Sequence, residues 1–328
     1  MTGSSDAFTE LDLDIVPGFW RELLGVGSWL GEDVCVAMMR QYVDSIRMLD
    51  AESLANYRGR GVLYVANHQV AVESILFGVA TSAYIDLATC VLAKQEHRGS
   101  WIGRMFATTF ARSDLRTQPN LFALVDRDDQ RVMVKTLARE FKRVATGKQG
   151  FLVHTDGTRS LRCREPVRVV SGALLDRAAK QGVPVVPVRF AGGLPVETLD
   201  ERIEFPYRHG RQTIWLGAPI LPDQLLELAS SDRKQYVLDS LASLGGSWDD
   251  EEPHPGDPEF AAVVDAWKTD HGVTEPQAVM ACCLAKLDEP SEDAQLLLGL
   301  FEGRPLPADH PRHEWLSVCA RDVLGFKP

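Results

Sequence analysis

In the stretch YVANHQVAVES, His68 is followed five positions later by Glu73. An imidazole beside a carboxylate is suited to moving a proton at neutral pH. The carboxylate accepts from one ring nitrogen and fixes the tautomer, and the other nitrogen serves as the base. Spacing alone does not establish such a pair. With 46 acidic residues among 328 and 8 histidines, about one His-x4-acid match is expected by chance, and the sequence holds two. The second, His254 to Glu259, lies in EEPHPGDPE, where three prolines and a glycine indicate a loop without fixed geometry.

Local structure has to distinguish them. Positions five apart on an ideal helix are separated by about 140°, so His68 and Glu73 cannot meet if both are helical. They can meet if His68 occupies the turn after a strand GVLYVA and the helix begins within residues 70 to 74. The β-rich run before Asn67 and the helical SILFGVATSA after it favour that arrangement. The carboxyl end of a parallel strand is also where open α/β sheets build their sites.

The wider pattern supplies such a sheet. DLATCVLA, FALVD, QGFLVHT, VPVVPVRFAG and TIWLGAPI read as strands, and helical stretches alternate with them. The expected fold is α/β: a mostly parallel central sheet flanked by helices, with N-terminal helices and a C-terminal helical appendage. Three segments are expected: an N-terminal helical segment over 1–55, an α/β domain over 56–245 and an acidic helical segment over 246–328. EDVCVAMMRQYVDSIRMLD reads as one helix, and the linker is placed in GGSWDDEEPHPGDPE.

NHQVAVE resembles the N-H-x4-D motif of the glycerolphosphate and lysophospholipid acyltransferase superfamily, with Glu73 in place of Asp. Further blocks follow in that family's order. AKQEHRGSWIGRMF resembles a Lys-then-Gly helix segment, and LFALVDR an apolar run ending in Asp-Arg. HTDGTRS resembles Pro-Glu-Gly-Thr-Arg-Ser, with Thr155 for Pro and Asp156 for Glu. GVPVVPVRFAG and IWLGAPI resemble the closing strands. Together they cover residues 60 to 225, about half of the chain.

The resemblance implies acyl transfer from a thioester, on acyl-CoA or an acyl-carrier protein, to a hydroxyl or amine. His68 would be the general base, oriented by Glu73. A backbone N–H near a helix start, or a nearby basic group, would hold the oxyanion. Asn67, Arg127, Asp156, Gly157, Thr158, Arg159 and Ser160 would contact substrate, the arginines by bidentate phosphate contact. Pro184 and Pro187 would shape the strand and acyl pocket. The default acceptor is lysophosphatidate or glycerol phosphate, within lipid metabolism. Glu73, Asp156 and the lack of an apolar run long enough to span a membrane raise a non-lipid metabolite as an alternative acceptor, and the Asp-to-Glu change at 73 raises a non-catalytic thioester-binding protein. Water as the acceptor, giving thioester hydrolysis, is a third. No cofactor is implied beyond the thioester co-substrate.

Composition limits the remaining classes. There is neither a G-x-S-x-G elbow nor Cys-x-x-Cys spacing, so no serine-hydrolase elbow, metal or Fe–S signature is present. Six scattered cysteines suggest reduced, buried thiols, and the acidic N-terminus lacks signal-peptide order, so a cytoplasmic location is expected. Phe19, Trp20, Leu23, Leu24, Trp29 and Leu30 would suit peripheral contact with a membrane, on the inner face of the bilayer. The segment lacks a lysine-rich face, however, and packing onto a core is the expected use. Residues 246–328 carry 17 acidic and 6 basic residues, whereas 94–168 carry 16 basic and 8 acidic. Such a chain fits an anionic small molecule or acidic carrier protein meeting the basic stretch, with Arg112 and Arg116 as contacts, and not nucleic acid.

Overall fold

A computed structural model describes residues 8–126 and 128–327. The chain forms two compact units, one of residues 8–13, 42–93 and 120–256, the other of 14–41, 94–119 and 257–327.

The first unit carries the sheet. Its strands are β1 Thr9–Glu10, β2 Val43–Met48, β3 Leu63–Ala66, β4 Thr89–Lys94, β5 Phe122–Val125, β6 Gly150–His154, β7 Val185–Ala191 and β8 Gln212–Leu216. They run in the order β1-β2-β8-β7-β3-β6-β4-β5. β3 is parallel to both β6 and β7, β6 to β4 and β2 to β8, while β1–β2 and β7–β8 are antiparallel. The fold is therefore α/β with a mostly parallel sheet.

The central strands are apolar without alternation because both of their faces are covered. Every residue of β3 is buried. Phe141, Val144, Leu175 and Ala178, from helices Gln130–Ala145 and Gly172–Lys180, pack with Leu63, Phe151, Val153 and Val185. Each large apolar side chain buried this way contributes about 1.5–3 kcal/mol. Helix Glu73–Ile85 is buried along all its residues, in keeping with a sequence that is apolar all round. The turn between β3 and this helix, which carries His68, is thus flanked by two buried elements.

Three local expectations change. EDVCVAMMRQYVDSIRMLD is not one helix: Leu30–Tyr42 is helical and Val43–Met48 is β2, paired to β8. The partner strand lies about 170 residues further along, so nothing local marks the switch. LPDQLLELASSDRKQYVLDSLASL, helical in its apolar pattern throughout, divides into helices Pro222–Glu227 and Ser230–Ala242. Residues 246–256, read as a linker, pack within the first unit, where Glu251 is buried.

In the second unit Trp20, Leu24, Trp29 and Leu30 are fully buried. Trp29 lies 5.7 Å from Trp20 and 4.8 Å from Phe110 by ring centroid, so these aromatics build a core. Arg112, expected as a carrier contact, is buried and committed to Asp114 and the Ser28 carbonyl, with Asp293 at 3.5 Å. Arg116 donates to the carbonyls of Glu22 and Leu23. Burial among acceptors from its own segment and from distant ones leaves the Arg112 side chain no docking surface to offer. The acidic C-terminal segment is helical over Pro258–His271, Glu275–Ala285, Glu292–Phe301 and His313–Asp322. All six cysteines are buried and unbridged. Among the described residues no helix is long and apolar enough to cross a membrane.

Candidate active site

β3 ends at Ala66 and the next helix begins at Glu73, which leaves His68 in the intervening turn. His68 Nδ1 lies 2.8 Å from Glu73 Oε1. The imidazole side chain is 18% exposed and the glutamate side chain 0%, so solvent or a ligand can meet the ring but not the carboxylate.

Glu73 sits at the first helical position and reaches back over the turn. Oε1 accepts from Gln69 N at 2.8 Å, and Oε2 accepts from Val70 N at 3.1 Å and from Gln212 Nε2 at 2.7 Å. Together with His68, four donors surround the two oxygens. A buried carboxylate without such donors would be held protonated. Burial raises Glu73 from 4.5 to about 7, with His154 and then the donors from Gln212, Val70 and Gln69 pulling the other way.

Parallel pairing of β3 with β6 sets Ala66 beside His154. The His154 ring stacks on His68 at 3.8 Å with 14° between planes. Its Nδ1 is 2.6 Å from the Asn67 carbonyl, which only accepts, so Nδ1 carries the proton. Nε2, 2.7 Å from Ser74 Oγ, is then the acceptor of the serine hydroxyl. Ser74, His154 and a carbonyl thus have the order of a nucleophile, a base and its orienter. Yet burial, reinforced by the neighbouring His68, lowers His154 to about 3. The Asn67 carbonyl also brings no counter-charge for the imidazolium that a general base must form, so this arrangement is poorly suited to activating Ser74. His154 is a neutral platform under the His68 ring.

His68, Glu73 and His154 also bring possible metal-ligand atoms within 4.8 Å of one another. An imidazole binds a cation in its own plane, and two nearly parallel stacked planes cannot both contain one ion. The geometry therefore favours hydrogen bonding over coordination.

The other expected site residues fall into two groups. Asn67 is buried and clamps β7, its Nδ2 donating to the Phe190 carbonyl at 2.8 Å and its Oδ1 accepting from Phe190 N at 2.7 Å. Its buried side chain holds the turn in place against β7. Ser160 N donates to the His68 carbonyl at 2.7 Å, which ties the loop after β6 to the turn that carries His68. In that loop Gly157 has φ +64°, a left-handed conformation that favours glycine, and Asp156 and Thr158 are exposed. Arg159 Nη1 donates to the Ile203 carbonyl at 2.6 Å and to Glu204 Oε1 at 2.8 Å, so its charge already has a carboxylate partner. Arg127 lies outside the described residues. Pro187 sits in β7 opposite Val65, and the Pro184 carbonyl accepts from Leu63 N; both shape the strand pairing.

Sequence reading missed His154, Ser74, Gln69, Gln212 and Glu251. Only for His154 was there a signal: it ends an apolar strand, and a parallel neighbour of β3 must present its carboxyl end beside the turn. A cavity of about 510 Å³, lined by Leu300, Leu306, Ser317, Arg321 and Phe326, belongs to the second unit and contains no dyad residue.

No protein-family model matches the chain, and no curated protein matches it.

Proposed function

We propose that the protein is an acyltransferase that moves an acyl group from a thioester, on acyl-CoA or an acyl-carrier protein, to a hydroxyl or amine. The observation that carries this reading is a partly exposed imidazole 2.8 Å from a fully buried carboxylate with four donors, at the carboxyl end of a parallel strand. The motif order of the sequence supports the same reaction class.

With Nδ1 turned to Glu73, the proton is taken at Nε2. His68 removes it from the acceptor O–H or N–H as the acceptor lone pair forms a bond to the thioester carbon. The carbonyl electron pair moves to oxygen, then returns as the carbon–sulfur bond breaks. The imidazolium gives its proton to the leaving thiolate. Glu73 stabilises the imidazolium while it exists, and His154 holds the ring plane, limiting the orientations that the base must search.

Lysophosphatidate or glycerol phosphate remains the acceptor suggested by the motifs. The Arg159–Glu204 pair favours a second reading, an acceptor without a phosphate such as a specialised metabolite, because the arginine's charge is already neutralised. Mass spectrometry after incubation with palmitoyl-CoA or palmitoyl-carrier protein and both acceptor classes tests the proposal. Acylated product should form with wild type and not with His68→Ala. Equal turnover by purified, folded His68→Ala protein would overturn the reading. Free fatty acid released at one rate with or without acceptor would indicate hydrolysis.

A further inference from the structure

Behind Glu73 lies a chain of buried polar groups that begins in the segment 246–256. Glu251 Oε2 accepts from Arg189 Nη2 at 2.8 Å. Its Oε1 accepts from Gly192 N at 3.1 Å and from Gln69 Nε2 at 3.0 Å. Gln69 Oε1 accepts from Gly193 N and Gln212 Nε2, both at 3.2 Å. Gln212 Nε2 also donates to Glu73 Oε2 at 2.7 Å. Glu73, Gln69, Gln212, Arg189 and Glu251 are all buried. Arg189 is further held by the carbonyls of Leu244 and Gly246, and its guanidinium lies 3.8 Å from the Trp248 ring.

Amide groups can face either way, so something must orient them. A carboxylate only accepts, so Glu251 forces the Gln69 NH₂ toward itself. The Gln69 carbonyl then points to Gln212, which must answer with its own NH₂. That same NH₂ is the donor to Glu73. The Gly193 N–H, which can only donate, holds the Gln69 carbonyl the same way, so Glu251 and that backbone amide together set the direction of the bonds that follow. We propose that Glu251 is a positioning residue for the His68–Glu73 dyad, acting through Gln69 and Gln212 to keep a donor on the buried carboxylate.

The proposal rests on the reading of His68 and Glu73 as the reacting pair, but it makes a demand of its own. Replacing one Glu251 oxygen with NH₂ sets that group against a donor in either orientation: against Arg189 Nη2 at the Oε2 position, or against Gly192 N and Gln69 Nε2 at the Oε1 position. With the amide oxygen kept on Arg189, the Gln69 NH₂ loses its acceptor, the Gln69–Gln212 pair loses its anchor, and the donor on Glu73 Oε2 is weakened. A one-atom change two residues removed from the dyad therefore disfavours ionised Glu73. The titratable and charged groups around it are His68 in hydrogen-bond contact, His154 stacked on His68, Glu251 and Arg189 behind the amides, and His254, which meets Thr213 from the same segment as Glu251 at 3.0 Å.

The test follows the His68 ring signals of the ¹³C-histidine-labelled full chain by NMR across neutral pH. The proteins are wild type, Glu251→Gln, Gln212→Met and the double variant, each checked for folding by circular dichroism. The midpoint reported by His68 should rise by about one to two pH units in Glu251→Gln, the size of one lost charge-assisted hydrogen bond. Gln212→Met should rise similarly, and the double variant should rise no further, because the last link is already gone. The acidic limb of kcat/KM for palmitoyl-CoA with its acceptor should move in step. An unmoved midpoint in folded Glu251→Gln overturns the proposal, as does full additivity in the double variant. If Glu251→Gln does not fold, Gln69→Met breaks the same relay while leaving Arg189 its carboxylate, and an unmoved midpoint there is equally decisive. The midpoints are read without turnover. Shifted midpoints without acyl transfer would reject the enzyme reading alone, and His68-dependent transfer with unmoved midpoints would reject the relay alone.

Discussion

Glu73→Gln changes one oxygen of the side chain to NH₂ at a site where every contact is a donor. Oε1 meets Gln69 N and His68 Nδ1, and Oε2 meets Val70 N and Gln212 Nε2. A carboxamide with NH₂ at the Oε2 position opposes two donors. With NH₂ at the Oε1 position it opposes Gln69 N and requires His68 to accept at Nδ1, which puts the ring proton on Nε2 and removes the base. Each unmatched buried donor costs about 1–3 kcal/mol of stability. The inverted tautomer and loss of the counter-charge should lower kcat by about 10³–10⁴, the scale of acid-to-amide changes in serine–histidine triads. That corresponds to about 4–5.5 kcal/mol of transition-state stabilisation. KM should change little, because the Glu73 side chain is fully buried and cannot touch substrate. The assay is release of the CoA thiol from palmitoyl-CoA, followed with a thiol reagent over a range of donor and acceptor concentrations. A kcat within about tenfold of wild type in folded protein would refute the orienting role of the carboxylate.

Since burial raises Glu73 to about 7 and the reaction needs it ionised, kcat/KM should fall about tenfold per pH unit below that value, as a pH–rate profile would show. His154 acts on stability: burial lowers it from 6.5 to about 3, so between those values the unfolded chain binds a proton that the folded chain does not. The contribution of His154 to stability is therefore lost as pH falls across that window, by up to about 1.4 kcal/mol per unit, offset by Glu73 above 4.5, and His154→Phe should remove it in urea titrations at several pH values. Glu73, raised in the folded chain, has the opposite slope between 4.5 and about 7, so the variant's stability should fall as pH rises there. Asn67→Ala should lower the melting temperature by leaving the Phe190 N–H and carbonyl buried without their amide partner, at about 1–3 kcal/mol each. If the acceptor lacks a phosphate, Arg159→Ala should alter acceptor KM little while destabilising the loop after β6, read as faster amide exchange there.

What the sequence determined by itself was the part of the site whose geometry is local. The strand before Asn67, the helix from Glu73 and the turn between them are written in about a dozen consecutive residues, and a five-residue spacing across that junction lets a histidine meet a carboxylate. The alternating strands and helices likewise implied a mostly parallel sheet, since apolar runs of that length must be covered on both faces. Tertiary structure decided everything that depends on distant pairing. β2 is a strand because β8 lies beside it, although its own residues continue a helical pattern. His154 became the platform under His68 because β6 pairs with β3, and Arg159 met Glu204 through a fold contact 45 residues away. The segment after Gly245 reads as Gly-, Pro- and acid-rich and hence as a linker. Burial of Glu251 beside Arg189 instead makes it part of the packing behind the dyad. Composition reports what a residue prefers in water, whereas a buried carboxylate is kept by partners that only the folded chain assembles.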